Sequence, residues 1–345
     1  MPILSHTVLR QLSYQIFRNA GATEEDARIV ADHLVDSNLA GHDSHGIIRM
    51  PGYARGVKGG GIKPSTEYEI VKETPTTAVI DGKGGWGIVL TLKATEMAVE
   101  KAKNYTFGAI GIHRCSHIGR LGDFPPRIAK HGMAGFVLLN GGGRFTAPFG
   151  GTGRRLPPNP LAFSAPIDDE KCIMLDMTTS VVAGGKIDIK RVRGQQMPEG
   201  WVIDAEGKPI YDPNDFDKGA ALPLGGLQFG HKGYGLAMMI DVLAGGLSWA
   251  GCSRQSPTRG ASGVFVMAIN ISSFIELNEF KKEVQGLIEW VKSSPTLSGF
   301  EEIYYPGEIE EVEREKRERE GIYIEDETWN RITAVAKELG VTVPE

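Results

Sequence analysis

The stretch Thr77-Ala78-Val79-Ile80-Asp81-Gly82-Lys83-Gly84-Gly85-Trp86-Gly87 decides which kind of α/β fold this chain adopts. Residues 77–81 read as a short strand, and residues 88–103 carry apolar side chains at helical spacing. Between them, Gly82 to Gly87 matches G-x-G-x-x-G, the glycine pattern that lets a backbone approach a pyrophosphate in Rossmann proteins. That fold also needs an acidic residue about 20 positions later, at the end of a second strand. Glu100 instead falls inside the helix, and the next strand, 107–112, runs into His113 and Arg114. The first strand is short and itself ends on Asp81. The spacing therefore favours a tight turn in a strand–helix unit over a dinucleotide loop. No G-x-x-x-x-G-K-[ST] occurs, which excludes P-loop chemistry.

Toward the N-terminus, two helices are expected. Ser5 can cap the first, which stops at Gly21. Thr23 can cap the second, with Glu24, Glu25 and Asp26 in its first turn and Val30, Ala31, Leu34 and Val35 facing a core. A loop over residues 42–46 follows. Toward the C-terminus, strands are expected at 134–139, 161–165, 172–175 and 263–270, with a helix over 232–247. Residues 119–130 leave room for a helix whose start Pro125 and Pro126 restrict. The mixture predicts an α/β or α+β centre. Residues 308–320 read as a charged helix laced by Glu310–Arg314, Glu313–Arg317 and Glu315–Arg319, with a solvated face, and residues 339–345 as a frayed tail.

Composition narrows the function. The 345 residues carry 38 Lys and Arg against 43 Asp and Glu, a net charge of −5, which speaks against a nucleic-acid partner. No apolar run reaches the roughly 20 residues of a membrane span. Residues 1–6 show no basic segment followed by an apolar core, so no signal peptide is expected. Cys115, Cys172 and Cys252 are odd in number and far apart, which predicts reduced thiols and a cytoplasmic setting.

Several segments carry side chains suited to catalysis. Ser44-His45-Gly46, then Arg49 and Tyr53, put a proton carrier, a planar guanidinium fork and a hydroxyl close together in sequence. His113, Cys115 and His117 are zinc-ligand types that would share one face of a strand, which opens a zinc-dependent hydrolase as an alternative. The other reading places His117 just past a strand end, where α/β active sites collect. Gly141-Gly142-Gly143 and Gly150-Gly151-Thr152-Gly153 can turn tightly or approach a ligand. Lys186 and Lys232 stand beside glycines and can meet a phosphate.

Together these residues resemble one family. Asp43-Ser44-His45-Gly46 with Arg49, Pro51 and Tyr53 looks like the opening signature of the malate/L-lactate dehydrogenases. Further blocks agree in order: Ser116-His117-Ile118-Gly119, Ala147-Pro148-Phe149-Gly150, Asn159-Pro160-Leu161-Ala162-Phe163, Leu175-Asp176-Met177-Thr178-Thr179, Gly185-Lys186, His231-Lys232-Gly233-Tyr234-Gly235-Leu236 and Tyr305-Pro306-Gly307-Glu308. The likeness spans about residues 5–340, and residues 198–213 look most similar to the bacterial hydroxycarboxylate dehydrogenase branch.

The resemblance implies a malate/L-lactate dehydrogenase-type fold. A central non-Rossmann cofactor-binding sheet domain (76–294) would join a helical domain built from both termini (1–75 and 295–345), in a homodimer. It implies reversible hydride transfer between NAD or NADP and a small 2-hydroxy or 2-oxo carboxylic acid, without a metal. The alternative within enzymes is reduction of a cyclic imino acid or a diketogulonate-type substrate. By position, His117 matches the family's proton acceptor and His45 its proton donor. Ser44, Arg49, Tyr53 and Asn159 fall on the substrate side. Gly141, Asp176, Met177, Thr178, Lys186, Lys232, Gly307 and Glu308 fall on the cofactor side. One departure stands out: Pro157-Pro158-Asn159-Pro160 replaces the usual Gly-Thr-Asn-Pro, removing a hydroxyl and a backbone N–H.

Overall fold

The computed structural model describes residues 2–141, 143–254 and 262–344. After a two-residue strand β1 (Ile3–Leu4), helix α1 (His6–Ala20) starts where the Ser5 hydroxyl accepts the Val8 N–H at 3.3 Å. It stops at Gly21, whose φ of 111° suits glycine. Helix α2 (Glu24–Leu39) is capped by Thr23, which accepts the Asp26 N–H at 3.2 Å. A 3₁₀ turn (Asp43–His45) and a second one (Ile47–Arg49) lead into α3 (Met50–Lys58).

The centre is a seven-stranded mixed sheet. Its strands are β2 (Glu69–Glu73), β3 (Thr77–Asp81), β4 (Phe107–His113), β5 (Met133–Asn140), β6 (Leu161–Pro166), β7 (Cys172–Met177) and β10 (Gly263–Asn270), after the short pair β8 (Val202–Ile203) and β9 (Ala220–Ala221). The order is β2-β3-β4-β10-β5-β6-β7, and only β3 and β4 run parallel. Strand β10 lies between β4 and β5, and its inward Val264, Val266 and Ala268 are fully buried. Helices α4 (Gly87–Tyr105) and α5 (Pro125–Ala129) cover the sheet. Pro125 opens α5 at its first position, where the missing N–H has no partner to lose.

A single parallel pair is not a doubly wound sheet, so the glycine stretch is not a Rossmann loop. It is instead zipped to the chain leaving β4. Gly82 N–H donates to His113 O at 2.9 Å, Gly84 N–H to Arg114 O at 2.7 Å and Gly87 N–H to the Ser116 hydroxyl at 2.9 Å. A Cβ on Gly87 would strike the Ser116 carbonyl oxygen and sit 2.8 Å from that of His117. Glycine is required there because the start of α4 presses on the segment that carries His117.

The remaining helices are α6 (Gly184–Val192), α7 (Gly226–Ile240), α8 (Leu277–Lys292), α9 (Glu308–Glu320) and α10 (Asp326–Glu338), with β11 (Ile322–Tyr323) pairing β1. Helix α7 continues as a π-helical segment, Asp241–Leu247. One apolar core joins Leu9, Ile16, Phe17, Val30 and Leu34 to Ile322, Ile332 and Val335, with Trp86 and Val89 inserted. A second lies between the sheet and α4, through Ile80, Leu90, Ile110, Ile112 and Val137. The expected frayed tail is partly corrected: Val341 is buried in the first core and Leu339 packs against it. Glu345 and Gly142 fall outside the described residues.

Candidate active site

A cavity of about 630 Å³ opens where the helical layer meets the ends of β4, β5 and β7. Four segments wall it: the turn with His42, Ser44, His45 and Arg49; the loop from His117 to Leu121; Asp176 to Thr178; and residues 180–186 at the start of α6. Leu139, Gly141, Pro158, Pro160, Leu224 and Ser262 complete the wall. Ser44, His45, Arg49, His117, Gly141, Asp176, Met177, Thr178 and Lys186, expected from sequence at a site, thus share one cavity.

The turn over 43–45 is pinned from far along the chain. Asp43 accepts the Asn38 amide at 2.6 Å, and the Arg317 guanidinium reaches both its oxygens, at 2.6 and 3.1 Å. Arg317 also donates to the Asn38 carbonyl at 2.7 Å, and Asn38 Oδ1 accepts the Ile47 N–H at 2.8 Å. His42 Nε2 lies 3.1 Å from Glu310. The expectation of a merely solvated α9 is therefore corrected. One face of α9 docks on α2 and on this turn, although the Glu313–Arg317 pair forms as expected, at 2.5 Å.

Within the turn, Arg49 Nε donates to the Ser44 carbonyl at 2.7 Å. No carboxylate among the described residues pairs with Arg49, which lines the cavity. The start of α6 packs close by: a Cβ on Gly185 would lie 2.6 Å from Ser44 Cβ and 3.7 Å from Arg49 Nη2. No side chain caps α6, so its first N–H groups and Lys186 add to the anion-attracting character of this wall.

The rings of His45 and His117 stack with centroids 5.8 Å apart and planes 19° apart. Ser44 Oγ lies 3.0 Å from His45 Nδ1. His117 Nδ1 faces away from the cavity, 2.6 Å from the Tyr53 hydroxyl and 3.2 Å from the Gly119 N–H that donates to it. The His117 ring is open to the cavity but enclosed by protein elsewhere. Poor solvation of a charge there, with Arg49 and His33 nearby, pushes it down to about 4. Burial, then His117 and Arg49, push His45 down to about 3. Both imidazoles are therefore neutral near pH 7. Unfolded histidines take up protons near pH 6.5, so the fold loses stability as pH falls from about 6.5 toward 4. A His45→Gln/His117→Gln variant is expected to lose less than the wild type across that range in urea titrations. Equal losses in both proteins would contradict the depressed values.

Five residues expected at the site are not on the wall. Tyr53 lies behind His117. Asn159, with φ of 32°, turns inward, and its amide donates to the Ala237 carbonyl and to Asp241, both at 3.0 Å. The proline-rich loop is held from behind, since Pro158 O accepts the Thr179 N–H at 2.9 Å. Lys232 is exposed on α7. Gly307, at φ 101°, wraps over Met174, and Glu308 bonds Lys292 at 2.5 Å and the Tyr305 N–H at 3.0 Å.

The sequence reading also missed Arg120. It is buried in the wall, its Nε is 3.6 Å from Asp176, and Asp176 in turn accepts the Gly122 N–H at 2.7 Å. Its adjacency to the 116–119 block was the available signal. The zinc reading fails on its premise. Strand β4 ends at His113, which faces the Ile80 carbonyl at 3.1 Å, so Cys115 and His117 do not share its face. Among the described residues, no group of three or more His, Cys, Asp or Glu side chains is placed to hold a metal ion.

The family pattern described as malate/L-lactate dehydrogenase matches residues 4–333. The chain belongs to the malate/L-lactate dehydrogenase family. It is 38% identical to a malate dehydrogenase of Pyrococcus horikoshii over 95% of this chain and 92% of that one. It is 33% identical to a hydroxycarboxylate dehydrogenase B of Escherichia coli, over 94% and 91%. The crystal structure of a malate dehydrogenase from Entamoeba histolytica superposes with a TM-score of 0.94, at 31% identity, covering 100% of this chain and 99% of that one. The protein is thus a 2-hydroxycarboxylate dehydrogenase that works with a nicotinamide cofactor. The cavity fits such a cofactor. It has the volume of a small-molecule site, and an uncapped helix start, Lys186 and Arg49 offer positive groups to an anion. Among the described residues, no helix is long and apolar enough to cross a membrane.

Proposed function

We propose that this cavity is where a small 2-hydroxy acid of the malate or lactate type and its 2-oxo partner are interconverted. The observation that carries the reading is the stacked His45 and His117 beside Arg49 on one wall. The bound nicotinamide, as NAD or NADP, supplies the hydride chemistry. Arg49, backed by Ser44, the start of α6 and Lys186, holds the substrate carboxylate and so fixes C2 against the cofactor. His117 exchanges the proton of the C2 oxygen, and the stacked His45 hydrogen-bonds the same oxygen. Gly141, Asp176, Met177 and Thr178 line the cofactor side. Asn159 shapes the loop that carries Pro158 and Pro160.

The test is oxidation of NADH and NADPH with a panel of 2-oxo acids and one cyclic imino acid. Turnover of an oxo acid with one cofactor supports the reading. Silence on the oxo acids with turnover of the imine moves the protein to the reductase alternative. Arg49→Ala is expected to raise KM for the oxo acid by about 10²-fold, the scale of a lost charged hydrogen-bond pair. An unchanged KM rejects its role.

We further propose a homodimer, with residues 1–75 and 295–345 forming one helical unit around the shared core. Exposed apolar side chains support the dimer: Met238, Met239, Val242 and Leu247 on α7 and its continuation, and Leu287 and Trp290 on α8, a helix with no buried residue. Lys232 stands on the α7 segment, and Glu308 is tied to α8 through Lys292, so this face is the setting in which they would meet a cofactor. Three free thiols support a reducing, cytoplasmic setting.

A further inference from the structure

Arg120 is a guanidinium buried in the cavity wall, 6% exposed, yet incompletely bonded. Its Nε has no hydrogen-bond partner among the described residues, because Asp176 Oδ2 lies 3.6 Å away, beyond hydrogen-bond reach. Gly122 grips both members of this pair. Its N–H donates to Asp176 Oδ2 at 2.7 Å, and its carbonyl accepts from Arg120 Nη2 at 3.2 Å. A Cβ on Gly122 would lie 2.7 Å from Asp176 Oδ2 and 3.0 Å from Arg120 Nη2, so the fit leaves no room for a side chain. The Arg120 backbone is fixed as well. Its N–H donates at 3.0 Å to His33 Nε2, and the other nitrogen of that ring is 3.0 Å from Asp123. Two polar atoms are left over. Among the described residues, Arg120 Nη1 and Asp176 Oδ1 have no hydrogen-bond partner, and both residues line the cavity.

A half-bonded buried ion pair is costly, and a ligand that completes it recovers the loss. What the pair offers is a donor and an acceptor side by side, with the charges already balanced. A second carboxylate on the substrate would meet the Asp176 anion together with the Arg120 cation, so an anion gains little there. A neutral primary amide is the complement, since its carbonyl oxygen accepts and its NH2 donates. We propose that Arg120 and Asp176 bind the carboxamide of the nicotinamide. Arg120 Nη1–H donates to the amide oxygen, and Asp176 Oδ1 accepts from the amide NH2. This rests on the reading of the cavity as the dehydrogenase site. The resemblance puts Asp176 on the cofactor side in general, whereas the pair assigns it one group of the cofactor and adds Arg120. The adenine edge also presents a donor beside an acceptor. Arg120, however, stands on the same short wall segment as His117, where the reacting ring has to lie. Held by its amide, the ring cannot rotate away from that wall, which orients it toward the substrate.

The experiment is isothermal titration calorimetry without substrate, using whichever of NADH and NADPH binds the wild type. Its first arm leaves the protein untouched. The reduced 3-acetylpyridine analogue, in which a methyl replaces the amide NH2, is expected to bind about tenfold more weakly, the scale of one hydrogen bond to a charged group. Equal affinity overturns the proposal, even if every variant fails to fold. The second arm is Arg120→Met, with Arg120→Met/Asp176→Leu as the variant that leaves no buried charge unpaired. Each is expected to lose 10- to 10²-fold or so in cofactor affinity. ADP-ribose, or its 2′-phosphate for an NADP enzyme, should bind as in the wild type, and the double variant should no longer distinguish the acetylpyridine analogue. An equal loss for ADP-ribose would place the pair at the adenine end or give it a purely structural role, and either overturns the proposal. Unchanged cofactor affinity with a raised KM for oxaloacetate but not pyruvate would assign Arg120 to a second substrate carboxylate, which also overturns it. Binding and turnover that ignore the pair sink this assignment alone. A wild type that binds neither cofactor sinks the dehydrogenase reading with it.

Discussion

His117→Ala lowers turnover of the 2-oxo acid by about 10²- to 10⁴-fold, the range of a removed general acid–base group, while KM changes little. The effect is expected to be large because His117 is the residue proposed to exchange that proton. His45 stacks on the His117 ring at 5.8 Å and has the Ser44 hydroxyl 3.0 Å from its Nδ1, and Tyr53 is closed off behind the His117 ring. The fold should tolerate the change at a cost of about 1–3 kcal/mol, chiefly from leaving the buried Tyr53 hydroxyl without a partner. Steady-state kinetics of His117→Ala and His45→Ala, beside their melting temperatures, check the assignment. Equal mild losses from both would remove the acid–base role from either histidine.

Gly87→Ala is expected to be strongly destabilising. The added Cβ meets the Ser116 carbonyl oxygen and comes within 2.8 Å of that of His117. Both are backbone atoms, held by Gly87 N–H on the Ser116 hydroxyl and Ser116 N–H on Gly85 O, so neither can turn aside as a side-chain tip would. Overpacking against backbone costs about 3 kcal/mol or more. The methyl also displaces the segment that aims His117, so activity should fall further than stability alone explains. Urea unfolding and single-turnover kinetics on the same preparation separate the two losses. A variant with wild-type stability and turnover would show that the approach is looser than described.

Six of the seven strands of the central sheet, the first two helices and the failure of the Rossmann reading were legible because they depend on local signals, whereas the exposed, charged edge strand β2 was not. Ser5, Gly21 and Thr23 act within one turn of where they stand, and 263–270 is apolar enough to read as a buried strand. The family likeness supplied the site, and nine of its positions line one cavity. What stayed hidden was long-range. Nothing near Arg317 announces that it reaches Asp43, because an i,i+4 ladder on a charged helix looks alike whether solvent or protein lies beyond it. Tyr53 was placed on the substrate side by the family resemblance. In space, the turn of α3 points its hydroxyl to the rear of His117. Helix α8 carries apolar residues at helical spacing, Phe280, Val284, Leu287 and Val291, yet none of its residues is buried in this chain.

The clasp between Asp43 and Arg317 spans 274 positions of the chain. During synthesis, at about 5–20 residues per second, the turn bearing Ser44 and His45 leaves the ribosome on the order of tens of seconds before the arginine that pins it. The two opening helices have their caps from the start, but six of the buried apolar residues of their core, among them Ile322, Ile332 and Val335, do not yet exist. A nascent chain thus carries an unclosed helical pair with exposed Leu, Ile and Phe through most of its elongation. Ribosome-bound fragments are therefore expected to present this apolar surface to chaperones and to lack activity, a liability that the finished fold conceals.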